Sequence, residues 1–202
     1  MTASSPSKKI AALLLAAGNS SRMGRPKQLL DFHGQPLLRR AAETALAAAL
    51  SPVVIILGAS AEDIRPALAN LPVVILDNPD WPRGMGTSLR TGITHLLHQP
   101  NPPDAVLLLL CDLPLITPLH LAALIAEHER TGKPLIAAAY NSTRGVPALV
   151  GKTYFEELRT LPDPAGAKSL FTRHPDDLAT IPLPEAALDI DDPGAYAQLL
   201  QL

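Results

Sequence analysis

Leu15-Ala16-Ala17-Gly18-Asn19-Ser20-Ser21-Arg22-Met23-Gly24-Arg25-Pro26-Lys27 closes the apolar run that begins at Ile10 and turns at once into small residues carrying three cations. An apolar run of this length suits one buried strand of a parallel sheet. The Gly and Ser residues after it let backbone N–H groups approach an anion. Arg22 offers a planar fork for phosphate oxygens and Lys27 a compact mobile charge, so the stretch reads as a polyphosphate grip at the end of a strand.

Two better-known phosphate motifs are excluded by spacing. A Walker A loop places four residues between its glycines and ends in Gly-Lys, whereas five residues separate Gly18 from Gly24 and Arg25 follows. A dinucleotide turn needs Gly-x-Gly-x-x-Gly, and positions 16, 18 and 21 are Ala16, Gly18 and Ser21.

Strand-length apolar runs recur along the chain at 10–15, 53–57, 73–76, 105–110 and 135–139. Helical patterns lie between most of them, at 36–49, 61–69, 87–98 and 118–131. This alternation predicts an α/β fold, a Rossmann-like three-layer arrangement with a mostly parallel central sheet and helices on both faces. Thr117-Pro118 reads as a helix cap and first-turn proline, and Asp192-Pro193 as a second pair opening a last helix to about residue 200. After Tyr140 prolines accumulate and the pattern loosens, which predicts loops and short elements lying over the sheet. The expected organisation is a flexible leader over residues 1–8 and one domain over 9–202.

Composition narrows the partners. The 202 residues carry a net charge of -2 and only 3% aromatic side chains, so neither a polyanion-wide field nor a stacking surface for nucleic acid is expected. No run approaches the ~20 apolar residues that span a bilayer. Lys8-Lys9 before the apolar run imitates a secretory signal, but cleavage there would sever the phosphate loop from its strand. The single Cys111 has no internal disulfide partner, and a cytoplasmic protein is expected.

Asp112 follows the run at 105–110, at the sheet edge where open α/β folds bind ligands, and reads either as a hard oxygen ligand for Mg²⁺ or as a helix cap. Asp189 and Asp191 alternate along an extended segment and would share a face, or stand in solvent beside the cap Asp192. Gly84 and Gly86 can bring bare amides to a ligand at a helix N-terminus, while the plainer reading is a glycine turn capped by Thr87 or Ser88. Met23 and Met85 read as wedges that hold these glycine loops against the sheet. Cys111 reads as a small buried residue. His95 and His98 share a helix face without a third ligand.

The pattern Leu-Ala-Ala-Gly-x-Ser-x-Arg-Met-Gly-x-x-Lys over Leu15 to Lys27 resembles the MobA-like nucleotidyltransferases, and among them the molybdenum cofactor cytidylyltransferase (MocA) branch. The resemblance implies a nucleotide-binding part over about 9–115, with Leu15, Ala16, Ala17 and Gly18 around the nucleotide and Arg22 and Lys27 on its phosphates. Asp112 would hold Mg²⁺, with Asp191 as second contact and Asp189 close behind. Gly84, Gly86 and Ser88 would border the base or ribose. In the acceptor part, about 116–202, the match weakens: Val146 stands where relatives often carry His, and Lys168 where they carry Arg. The implied reaction moves CMP from CTP to the terminal phosphate of molybdenum-molybdopterin, with a molybdoenzyme or its chaperone as further partner. A guanylyltransferase or sugar-phosphate nucleotidyltransferase of the same fold, and a non-catalytic nucleotide or cofactor carrier, remain as alternatives. Ala17 argues against guanine, because the guanylyl branch resembles Leu-Ala-Gly-Gly and an extra methyl narrows the base pocket.

Overall fold

The computed structural model describes residues 8–202, so most of the expected leader lies outside the described residues. In chain order the strands are β1 (Ile10–Ala16), β2 (Asp31–Phe32), β3 (Gln35–Pro36), β4 (Val53–Leu57), β5 (Val74–Asp77), β6 (Ala105–Leu110), β7 (Leu135–Tyr140), β8 (Thr143–Gly151) and β9 (Leu178–Pro182). The helices are α1 (Leu37–Ala47), α2 (Ala61–Ile64), α3 (Met85–Leu97), α4 (Pro118–Thr131), α5 (Phe155–Arg159), α6 (Lys168–Arg173) and α7 (Pro193–Leu199). Seven strands form one sheet in the order β5-β4-β1-β6-β8-β7-β9, and β2 and β3 pair apart from it. Only β8 runs antiparallel to its neighbours, β6 and β7.

Because β1 lies mid-sheet with a helical layer on each face, all seven of its residues are buried. Ala12, Leu14 and Ala16 face the layer containing α1 and α4, through Leu38, Ala42, Leu121 and Leu124. Ala11, Leu13 and Leu15 face Leu89 and Ile93 of α3 together with Phe155 and Leu158 of α5. The expected three-layer, mostly parallel sheet is therefore present.

Three local expectations need correction. The helix expected over 61–69 stops after Ile64 and continues as a 3-10 turn, Arg65–Leu68, because Pro66 has no N–H to continue an α-helix. The helix expected from Thr87 begins at Met85, and the Thr87 hydroxyl donates to the Gly84 carbonyl instead of capping an end. The chain after Tyr140 is part of the sheet: β8 sits between β6 and β7, and β9 forms an edge. Gly145 and Pro147 hide β8 from a pattern search, since proline inside a central strand removes a ladder donor. The register accommodates it. Ala137 pairs Ala148 and Ala138 pairs Gly145, so Val146 and Pro147 fall in a bulge where no ladder bond is required.

Both expected caps form. Pro118 opens α4 after Thr117, whose N–H donates to His120 Nδ1 at 3.3 Å. Asp192 Oδ1 accepts from Ala195 N at 2.9 Å at the start of α7.

Candidate functional site

Register places the site. Leu15 of β1 pairs Leu110 of β6 in parallel, so the loop after β1 and Asp112 after β6 emerge at the same edge. The Asp189–Asp191 segment is tied there by Ile190 N donating to the Asp112 carbonyl at 3.0 Å. Ile190 itself is buried against Met23, Leu30 and Leu37, which anchors the loop and the carboxylate segment to each other. Met23 is thus the expected wedge. Met85 is not: it is 45% exposed and lines the two cavities described below.

Lys27 stands between two carboxylates. Its Nζ donates to Asp112 Oδ2 at 2.5 Å and to Asp191 Oδ1 at 2.7 Å. Arg22 donates to the other oxygen of Asp191 at 2.6 Å from a position 68% exposed, so it lies at the rim. Lys27 and Asp112 side chains are only 16% and 10% exposed. Burial alone would depress the Lys27 ammonium, yet Asp112 and Asp191 outweigh it and hold its pKa above the ordinary lysine range. Burial pushes the Asp112 carboxyl up, against the opposing charge of Lys27. Asp191, bonded to Lys27 and Arg22, is held below the usual carboxylate range. Asp189 faces the same cavity from an exposed position.

Lys27 and Arg22 take both oxygens of Asp191 and one of Asp112. Asp112 Oδ1 is buried and has no hydrogen-bond partner among the described residues, leaving one hard oxygen free. Among the described residues no group of three or more His, Cys, Asp or Glu comes together to hold a metal ion. Cys111 is buried, and burial pushes its thiol up to about 12, so it is no nucleophile near neutral pH.

A cavity of about 580 Å³ runs from this cluster to the glycine loop, lined by Leu15, Ala16, Ala17, Gly18, Trp81, Gly84, Met85 and Ser88 as well as Lys27, Asp112 and Asp191. A Cβ built on Gly58 would fall 2.8 Å from the Ala17 methyl and 2.8 Å from Trp81 Cβ, so Ala17 is closely backed. Gly84 and Gly86 do not offer free amides. Gly84 N donates to the Trp81 carbonyl at 3.1 Å, and Gly86 N to the Asp163 carbonyl at 2.7 Å. Their small size serves a close backbone approach, because a Cβ would fall 2.5 Å from Asp163 O at Gly84 and 2.4 Å from Pro162 O at Gly86. Asp163 completes that contact, its carboxylate bound to Arg83 at 2.6 Å and Arg90 at 2.9 Å.

Lys168 lies outside this cavity. It lines a neighbouring one of about 280 Å³ with Tyr140, Thr143 and Phe171, and donates to Thr143 Oγ1 at 2.7 Å. Leu15, Met85 and Leu110 border both cavities and make them adjoin.

Sequence reasoning overlooked Gln28, which is 1% exposed. Its Nε2 donates to the Ala16 and Gly18 carbonyls, each at 2.9 Å, and its Oε1 accepts from Ser20 Oγ at 3.2 Å. The side chain thereby holds the loop in its turned-back shape, and nothing short of the fold reveals it. Gln28→Leu strands two carbonyls, and we expect a loss of about 1–3 kcal/mol in urea unfolding together with a raised nucleotide KM. An unchanged unfolding midpoint would show that the loop holds itself.

The sequence profile of the MobA-like NTP transferase domain matches residues 12–178. The chain is 40% identical over 135 residues to "Nicotine blue oxidoreductase" of Paenarthrobacter nicotinovorans, a match covering 66% of this chain and 63% of that protein. It is 34% identical over 143 residues to "Probable molybdenum cofactor guanylyltransferase" of Synechococcus elongatus, covering 70% of each. The crystal structure of Rv0371c from Mycobacterium tuberculosis H37Rv superposes with a TM-score of 0.79 at 27% identity, over 96% of this chain and 99% of that one. A manganese complex of the same protein superposes at 0.74 and 25% identity, over 96% and 98%.

Proposed function

The chain belongs to the MobA-like NTP transferase domain family, and from that premise we propose that it moves a cytidylyl group from CTP to the terminal phosphate of molybdenum-molybdopterin, releasing pyrophosphate. The observation that carries the reading is one cavity lined both by the Ala16-Ala17-Gly18 loop and glycine-loop residues Gly84 and Ser88 and by the Lys27, Asp112 and Asp191 cluster. A nucleoside triphosphate needs both an apolar wall for its base and charged groups for its phosphates. Ala17 favours a pyrimidine, since its methyl occupies space that the guanylyl pattern leaves open.

In this reaction an acceptor phosphate oxygen attacks the α-phosphorus in line, and the bond to the bridging oxygen breaks with its electron pair leaving on pyrophosphate. The protein's work is positioning and charge neutralisation. Lys27, kept protonated by its two carboxylates, is suited to meet negative charge building on the leaving group and not to accept a proton. Arg22, at the rim, would hold outer phosphate oxygens. Asp112 and Asp191 would hold a divalent cation, Mg²⁺ in the cell, which supplies charge neutralisation at the α-phosphate. The related Rv0371c was crystallised in complex with manganese, which supports a divalent cation as a ligand of this fold. The product would pass to a molybdoenzyme or its chaperone. No helix among the described residues is long and apolar enough to cross a membrane.

The oxidoreductase name of one relative is not carried over, because Ala16, Gly18 and Ser21 lack the glycine spacing of a dinucleotide turn. Pyrophosphate release measured separately with CTP, GTP and ATP, each with and without molybdenum-loaded molybdopterin, tests the proposal. Acceptor-dependent turnover with CTP well above GTP is expected. A preference for GTP would make it a guanylyltransferase.

The adjoining cavity is the proposed acceptor site, so Lys168→Ala should raise the acceptor KM while leaving that for CTP nearly unchanged. Lys168→Arg should be tolerated, because a guanidinium reaches the same oxygens as a fork. Equal, negligible changes in both constants would remove Lys168 from the site.

A further inference from the structure

Asn78 follows β5 at the ligand-binding edge, is 2% exposed, and touches two hydroxyls of the helix that borders the cavity. Its Nδ2 lies 2.8 Å from Thr87 Oγ1 and 2.9 Å from Ser88 Oγ. Its Oδ1 accepts from the Asp80 backbone N–H at 3.1 Å. The last contact fixes the amide's orientation: a backbone N–H can only donate, so the carbonyl end must face Asp80 and the NH₂ end must face the hydroxyls. Both amide hydrogens are therefore given to Thr87 and Ser88, and each hydroxyl accepts one.

The two hydroxyls then differ. Thr87 has two carbonyls for its own proton, Gly84 at 2.8 Å and Asp80 at 3.2 Å, and so is satisfied within the protein. Ser88, 4% exposed, accepts from Asn78, and its proton has no acceptor among the described residues. Ser88 also lines the 580 Å³ cavity with Ala17 and Trp81, so the unused proton has the cavity as its outlet. A hydroxyl free at both ends can greet a donor or an acceptor; one whose lone pair is occupied by an amide hydrogen favours donating.

We propose that Asn78 is a positioning residue that sets Ser88 as a hydrogen-bond donor into the nucleotide cavity, so that the base or sugar atom meeting Ser88 is an acceptor, a carbonyl oxygen or an unprotonated ring nitrogen. This rests on the reading of that cavity as the nucleotide site. It assigns specificity to a residue that touches no nucleotide itself and acts through one hydroxyl.

A double-mutant cycle tests it, read as the CTP dissociation constant by calorimetry with magnesium and no acceptor. Asn78→Asp keeps the shape but reverses the amide end from donor to acceptor, drawing the Ser88 proton away from the cavity. Asn78→Leu removes the donor without adding charge, and serves alone if the buried carboxylate prevents folding. Each, and Ser88→Ala, should weaken CTP binding by about tenfold, the scale of one hydrogen bond. In the Ser88→Ala background the Asn78 substitutions should add almost nothing, since residues acting through one another are not additive. Full additivity, or Asn78 variants that fold and bind CTP like wild type, would overturn the proposal. If wild-type protein prefers GTP, the cytidylyl reading fails by itself, and the same cycle run with GTP still decides the role of Asn78.

Discussion

Replacing Lys27 by alanine is expected to lower turnover at saturating CTP by roughly a hundred- to a thousandfold, the scale for losing one preorganised charge donor. The same change should also destabilise the fold. A lysine on an exposed loop would be lost without structural consequence, but Lys27 is 16% exposed and bonded to Asp112 and Asp191. Its removal leaves Asp112 buried without a counter-charge, a situation that costs about 3–5 kcal/mol where no relaxation occurs. Uptake of a proton by Asp112, whose pKa burial already raises, relieves part of that cost. Lys27→Met combined with Asp112→Asn should therefore recover most of the stability in urea unfolding and none of the activity. Arg22→Ala provides the contrast: its side chain is 68% exposed, so activity should fall while the thermal midpoint barely moves. Near-normal turnover in the Lys27 variant would remove it from the phosphate site.

Asp112→Asn should abolish measurable activity, by roughly three orders of magnitude or more, because several kcal/mol of charge stabilisation depend on the cation it would hold. Raised magnesium should not restore it. The amide keeps the shape, and Lys27 keeps its 2.7 Å bond to Asp191, so the fold should suffer less than in Lys27→Ala. Asp191→Asn should cost more than Asp189→Asn, since Asp191 shares the Lys27 ammonium with Asp112 whereas Asp189 lies exposed at the cavity wall. A metal titration in which Asp112→Asn matches wild type would reduce this carboxylate to a structural partner of Lys27.

The elements legible in the sequence are those whose physics is local. The strands β1, β4 and β6 announce themselves because residues buried on both faces must be apolar throughout. β8 does not, because its glycine and proline argue against a central strand and only the bulge opposite Ala137 and Ala138 makes them acceptable. Lys27 is legible as a cation of the loop after β1, and Asp112 as a carboxylate just beyond β6. Their mutual contact is not, since it spans 85 positions and is created by the β1–β6 register. Gly84 and Gly86 carry the signal of close backbone approach, and the structure brings the Asp163 backbone up to both while Gly84 also lines the cavity. Asn78 carries the same signal as Asp112, a polar residue just beyond a strand at the ligand edge. Gln28 carries none, because its partners are backbone carbonyls that only the folded loop brings together.

In the proposed reaction the α-phosphorus of the nucleotide is transferred and the two outer phosphates leave as a unit. Parallel reactions with CTP labelled in the α- or the γ-phosphate, with magnesium and molybdenum-loaded molybdopterin, test it most directly. The expected result is α-label in the acceptor product and γ-label in free pyrophosphate. Appearance of γ-label in the acceptor, or its release as inorganic phosphate with the α-label remaining in a diphosphate, would contradict it.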